Sequence, residues 1–185
     1  PLSDDHNAVF PEGSPQRCAR DGQYLDPSHP DTIAYVKNTM SMFCDWGYKL
    51  IKHDFSTFDT IGYWGFERKA EFASDGWHFY DRSKTTAEVL VGLNKAIYEA
   101  TKGRALVLGC NIISHLAAGM LHINRTGDDT SGKDWERVRK YGINTLAFRM
   151  LHHKAFYESD VDCIGITGLI DWQLNRQWLD AVAHS

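Results

Sequence analysis

The sequence predicts an α/β fold in which short parallel strands alternate with helices. Three observations predict it. Apolar residues recur at helical spacing in several windows, short leucine- and valine-containing runs follow those windows, and polar residues gather where those runs end.

Each element has its own local reason. Pro30 suits the first turn of a helix, so a helix is expected from about Asp31 to Trp46, with Ile33, Val36, Met40 and Phe43 on one face and Gly47 just past its end. The run "YKLIKHDF", residues 48–55, follows directly as a strand. Its Lys52 and Asp54 are two apart and share one side of the sheet. Residues 56–82 are rich in aromatics and too long for a turn, which suggests an insertion over one end of the sheet. Trp64 and Trp77 within it could stack on a pyranose ring, although aromatics equally fill cores.

Ser83 is expected to open the next helix, carrying Ala87, Leu90, Val91 and Ile97, and Gly103 to stop it before a strand at 104–109. A weaker strand at 119–124 leads through the polar turn "RTGDDTSG" to a helix from about Lys133 to Leu151, with Trp135, Val138, Tyr141 and Leu146. The run "AFYESDVDCIG" reads as a strand ending near Asp160, and a last helix spans Leu169 to Ala183. No repeat, low-complexity run or linker interrupts residues 1–185, so one domain is expected.

Alternating strands and helices of this kind build either a doubly wound sheet or a (β/α)8 TIM barrel. The glycine fingerprint of a dinucleotide fold follows none of the strands, which disfavours the first. A full barrel takes roughly 250 residues, so four strands in 185 residues predict a partial barrel. A chain beginning at Pro1 without Met agrees with a processed or partial chain.

The formal charge of -4 and the lack of a Lys/Arg cluster argue against a nucleic-acid partner. No apolar run reaches the ~20 residues needed to span a bilayer, and the first residues lack a signal-peptide pattern. Cys18, Cys44, Cys110 and Cys163 have no zinc or disulfide-framework spacing. His115, His122, His152 and His153 form no ligand pattern with a carboxylate, so no metal and no cofactor is expected.

In parallel β/α folds the reactive side chains come from the C-terminal ends of strands. Lys52 and Asp54 close the first strand; Cys110 and Asn111 follow the second; Arg125, Asp128 and Asp129 follow the third; Asp160 and Asp162 end the fourth. Two carboxylates from different strands suit glycoside cleavage, one attacking the anomeric carbon and the other protonating the leaving oxygen, ~5 Å apart in retaining enzymes. Lys52 would keep Asp54 ionised, and crowding by Asp128 would raise the pKa of Asp129. Structural roles compete: a salt bridge for Lys52 and Asp54, a helix cap for Asp128, a turn brace for Arg125, and solvated turn positions for Asp160 and Asp162.

"WGYKLIKHDF" resembles the nucleophile strand of the α-galactosidases, or melibiases, of glycoside hydrolase families 27 and 36, with its Lys, any residue, Asp motif. "INRTGDDTSGKDW" is similar to their acid/base segment and "SDVDCIG" to a following sugar-binding segment, in the family's order. The resemblance covers roughly residues 26–167. It implies Asp54 as nucleophile, Asp129 as acid/base, and Lys52, Arg125, Asp162, Cys110 and Asn111 as substrate ligands. Val161 and Cys163 depart from the family's Pro and Met, and nothing matches its paired Asp that reads the axial C4 hydroxyl.

The implied substrate is an oligosaccharide or polysaccharide with terminal α-galactose. Alternatives are a catalytically incomplete barrel fragment, a carbohydrate-binding module, or an α-N-acetylgalactosaminidase-like enzyme. Open sheet edges in a partial barrel would favour homo-oligomers. Asn124, Arg125 and Thr126 also spell an N-glycosylation acceptor, whose place beside the expected site argues against modification.

Overall fold

The computed structural model describes residues 25–56, 60 and 79–185. Trp64, Trp77 and most of the expected 56–82 insertion lie outside the described residues, as does Cys18. The chain divides into two compact units, residues 1–120 and 121–185.

In the first unit, helix α1 spans Pro30–Asp45. Pro30 occupies its first turn, and the His29 ring accepts a hydrogen bond from the Asp31 N–H at 3.2 Å. Gly47, at φ +91°, turns the chain out of the helix toward β1, Leu50–His53. Helix α2, Thr86–Thr101, starts two residues later than Ser83 would suggest. Ser83 instead bonds Asp81, while Thr85 and Glu88 form a capping box that satisfies both the Thr85 and the Glu88 backbone N–H. Gly103, at φ +72°, ends this turn before β2, Leu106–Gly109.

β1 and β2 pair in parallel with Leu50 opposite Leu106, Ile51 opposite Val107 and Lys52 opposite Leu108. Alternation gives the pair two different faces. Ile51 and Val107 are buried, as are Val89, Leu90, Leu93 and Ile97 of α2 and Met40 and Cys44 of α1. On the other face Leu50 is 51% and Leu106 47% exposed, so this side has little cover.

In the second unit, β3, Ile123–Arg125, pairs in parallel with β4, Glu158–Asp160. The strand expected at 119–124 begins later because Gly119, at φ +73°, still belongs to a turn. The single helix expected at 133–151 is instead segmented: α3 at Trp135–Arg137, a π-helical stretch at Val138–Ile143, α4 at Asn144–Arg149 and a 3-10 turn at Met150–His152. Asp134 caps it by accepting from the Glu136 N–H, so Asp128 does not have the capping role expected of it. Helix α5, Trp172–Ala183, is capped by Asp171. Its Trp178 is fully buried with Val138, Leu146, Val161 and Ile170.

Close approaches accompany the irregular helix. A Cβ on Gly142 would stand 3.0 Å from the Trp178 ring, and one on Gly127 would stand 2.0 Å from the Tyr141 carbonyl oxygen. Gly132 and Gly165 meet backbone to backbone, where a Cβ on Gly132 would lie 2.2 Å from the Gly165 oxygen.

Candidate active site

The C-terminal end of β1 carries a compact polar cluster. Lys52 lies on the strand and Asp54 one residue past it, with Lys52 Nζ 3.0 Å from Asp54 Oδ2. Asp54 Oδ1 accepts from Asn111 Nδ2 and from the Phe55 N–H, each at 2.8 Å. Partial burial pushes the Asp54 carboxyl up. The Asn111 and Lys52 hydrogen bonds, the Lys52 charge and the Phe55 N–H outweigh it and hold Asp54 below the usual carboxylate range. Oδ2 keeps Lys52 as its contact among the described residues, which makes it the less encumbered oxygen.

Backbone geometry aims these groups. Phe55 has φ +61° and Asn111 φ +50°, each two residues past its strand. Asn tolerates this left-handed region, whereas Phe does so at a cost of about 1 kcal/mol or more. Cys110, expected beside Asn111 as a substrate ligand, is 4% exposed and has its sulfur 3.6 Å from Asn111 Nδ2. His53 points away from Lys52, and its Nδ1 is shut off from solvent with no hydrogen-bond partner among the described residues. Burial pushes its pKa down to about 4, against the opposing pull of Asp54.

The end of β3 builds a second cluster around Arg125, whose side chain is 11% exposed. Its Nε donates to Asp160 Oδ2 at 2.8 Å, Nη2 lies 3.0 Å from Asp162 Oδ1, and Nη1 lies 3.3 Å from Asp129 Oδ1. Asp160 and Asp162 are 19% and 13% exposed, while Asp129 is 71% exposed. Asp162, at φ +70°, accepts from the Thr130 N–H at 2.7 Å and the Thr130 hydroxyl at 3.1 Å through Oδ2. It is a packed turn residue and not a solvated one.

Asp128 lies beside this cluster. It pairs with Arg137 Nη2 at 2.8 Å and accepts from the Asp129 N–H at 2.7 Å. Arg137 Nε donates to the Asp129 carbonyl at 2.7 Å and its guanidinium stacks on Tyr141. Sequence reasoning misses Arg137, and it gives Asp160 only the part of a solvated turn residue, not that of a partner to Arg125. The repeat of the two-apart spacing in "SDVD", matching "KHD", was the available signal for Asp160. Asn124 is 3% exposed, so burial closes the glycosylation acceptor. Among the described residues no group of His, Cys, Asp and Glu side chains could hold a metal ion, and no helix is long and apolar enough to cross a membrane.

Parallel strands alternating with helices, with polar groups at the strand ends, define an α/β fold of the kind found in β/α barrels. No family model and no curated protein matches the chain. Among solved structures it is similar to an α-galactosidase from Thermus thermophilus in complex with p-nitrophenyl α-D-galactopyranoside, with a TM-score of 0.53 and 19% identity over 86% of this chain. The match covers 32% of that enzyme's chain, so this chain spans about a third of its length. At this identity the likeness is one of fold alone, consistent with a partial barrel.

Proposed function

We propose that the chain carries the reactive carboxylates of a retaining glycoside hydrolase that cleaves terminal α-galactosides of oligosaccharides or polysaccharides. The observation that carries this reading is the state of Asp54. It stands at a strand's C-terminal end, held ionised by Lys52, Asn111 and the Phe55 N–H, with Oδ2 the freer oxygen.

In the proposed reaction Asp54 attacks the anomeric carbon as the bond to the leaving oxygen breaks, and Asp129 gives that oxygen its proton. Asp129, now a carboxylate, takes a proton from water, which attacks the same carbon and releases Asp54. Exposure of Asp129 suits a group that must meet both leaving group and water. Lys52 and Asn111, beside the nucleophile, are the proposed hydroxyl ligands. Replacing Asp54 with Ala should lower hydrolysis of p-nitrophenyl α-galactoside on the order of 10⁴-fold. Azide should restore turnover by taking the nucleophile's place, giving the galactosyl azide of inverted configuration. Wild-type rates in Asp54→Ala would end the proposal, and a panel of aryl glycosides would separate galactose from N-acetylgalactosamine selectivity.

The exposed Leu50 and Leu106 favour a second reading, an incomplete barrel portion that binds sugar or self-associates without turnover. An active monomer, shown by mass measurement and assay together, excludes it.

A further inference from the structure

We propose that Arg125, Asp160 and Asp162 are positioning residues that seat the Asp129 loop, rather than ligands of the substrate. The inference rests on Asp129 as the acid/base and changes the roles that the family resemblance gives to Arg125 and Asp162.

The guanidinium is committed inward. All three of its nitrogens already face carboxylates, and the two shorter contacts, at 2.8 and 3.0 Å, go to Asp160 and Asp162. These partners are nearly enclosed, so a sugar hydroxyl competing for Arg125 would have to leave a low-dielectric carboxylate without its cation, a costly exchange. Asp160 adds a second tie, because its Oδ1 accepts from the Asp162 N–H at 2.9 Å and so fixes the turn that aims Asp162.

Asp162 in turn holds the loop. Its Oδ2 takes both the N–H and the hydroxyl of Thr130, the residue next to Asp129, and Thr130 is 1% exposed. The hydroxyl's one proton is shared with the Cys163 carbonyl, whose oxygen lies 2.8 Å from Thr130 Oγ1. From the other side Arg137 grips the Asp129 carbonyl, and Gly127 packs on the Tyr141 carbonyl. The loop backbone is thereby pinned on both sides of Asp129. Its carboxylate, with the longest of the Arg125 contacts at 3.3 Å, is the part left free to exchange partners.

Asp160→Asn and Arg125→Lys test this through a leaving-group series of α-galactosides. An acid catalyst matters most when the leaving group is poor, since a nitrophenolate departs without a proton. Both variants should lose at least about tenfold in kcat on methyl α-galactoside, and several-fold less on the dinitrophenyl glycoside, with KM unchanged. A rise in KM alone on both substrates returns Arg125 to the sugar, and equal losses across the series overturn positioning in favour of general destabilisation. Amide hydrogen exchange at Thr130 gives a readout independent of turnover and should accelerate at least about tenfold in Asp160→Asn. Unchanged exchange in a folded variant refutes the brace. Absence of turnover in the unmodified chain would instead refute the proposed function, leaving the exchange result to judge the brace. Should Asp160→Asn not fold, Arg125→Lys is read by the same two measurements.

Discussion

His53 makes the acid stability of the fold a quantitative test of how β1 is buried. Its Nδ1 has no hydrogen-bond partner among the described residues and no solvent, so charging the ring in the folded state leaves a cation in a poor environment, and its pKa falls from 6.5 to about 4. A histidine depressed on folding binds its proton more readily in the unfolded chain. Its contribution is therefore fully present above pH 6.5 and is lost as the pH falls from there toward 4. Linkage between those two values costs about 2 kcal/mol at pH 5 and approaches about 3 kcal/mol below pH 4. Replacing His53 with Leu removes this titration while keeping an apolar side chain on the buried side of the strand. Urea denaturation at 25 °C, from pH 8 to pH 5, should show the difference in unfolding free energy between variant and wild type shifting by about 2 kcal/mol in the variant's favour. A difference that stays constant across this range would refute the burial argument. Asp54 occupies a separate window: its lowered value contributes stability above about pH 3.8, lost only as the pH falls through that lower folded value.

Two further substitutions probe the strand ends. Asn111→Ala removes a hydrogen bond that holds Asp54 ionised, so the Asp54 pKa should rise and carry the acid limb of the kcat/KM profile to higher pH; an unmoved limb would show that Asn111 does not tune Asp54. Gly127→Ala places a methyl carbon 2.0 Å from the Tyr141 carbonyl oxygen. It should cost about 3 kcal/mol in urea denaturation or prevent folding, and a neutral result would contradict the close packing of this loop on the π-helical stretch.

What could be read from the sequence was what local chemistry decides. Pro30 and Gly47 bracket α1, and Gly103 ends the turn after α2, because their backbone preferences act within a few residues. The T-T-A-E capping box was also local and would have placed the start of α2 at Thr85 instead of Ser83. The π-helical stretch was not legible, because it accompanies contacts with Gly127 and Trp178 that stand far from it in sequence. The reach of Asp128 was hidden for the same reason. Capping propensity favours it, yet the helix starts only after Gly132 has met Gly165, and Asp134 is the acidic residue standing there.

The same division runs through the candidate site. Lys52 and Asp54 announce their pairing by a two-residue spacing on one strand, whereas Arg125 and Asp160 are 35 residues apart and meet because parallel pairing sets them opposite each other. Register, which no single residue encodes, therefore decides whether Arg125 faces a sugar or a carboxylate. A slip of one residue between β3 and β4 would turn Asp160 to the other face and leave Arg125 without its shortest contact. On the opposite face the buried Asn124 stands beside Ser159, so the register of this strand pair sets both faces at once and, through Arg125, the setting of Asp129.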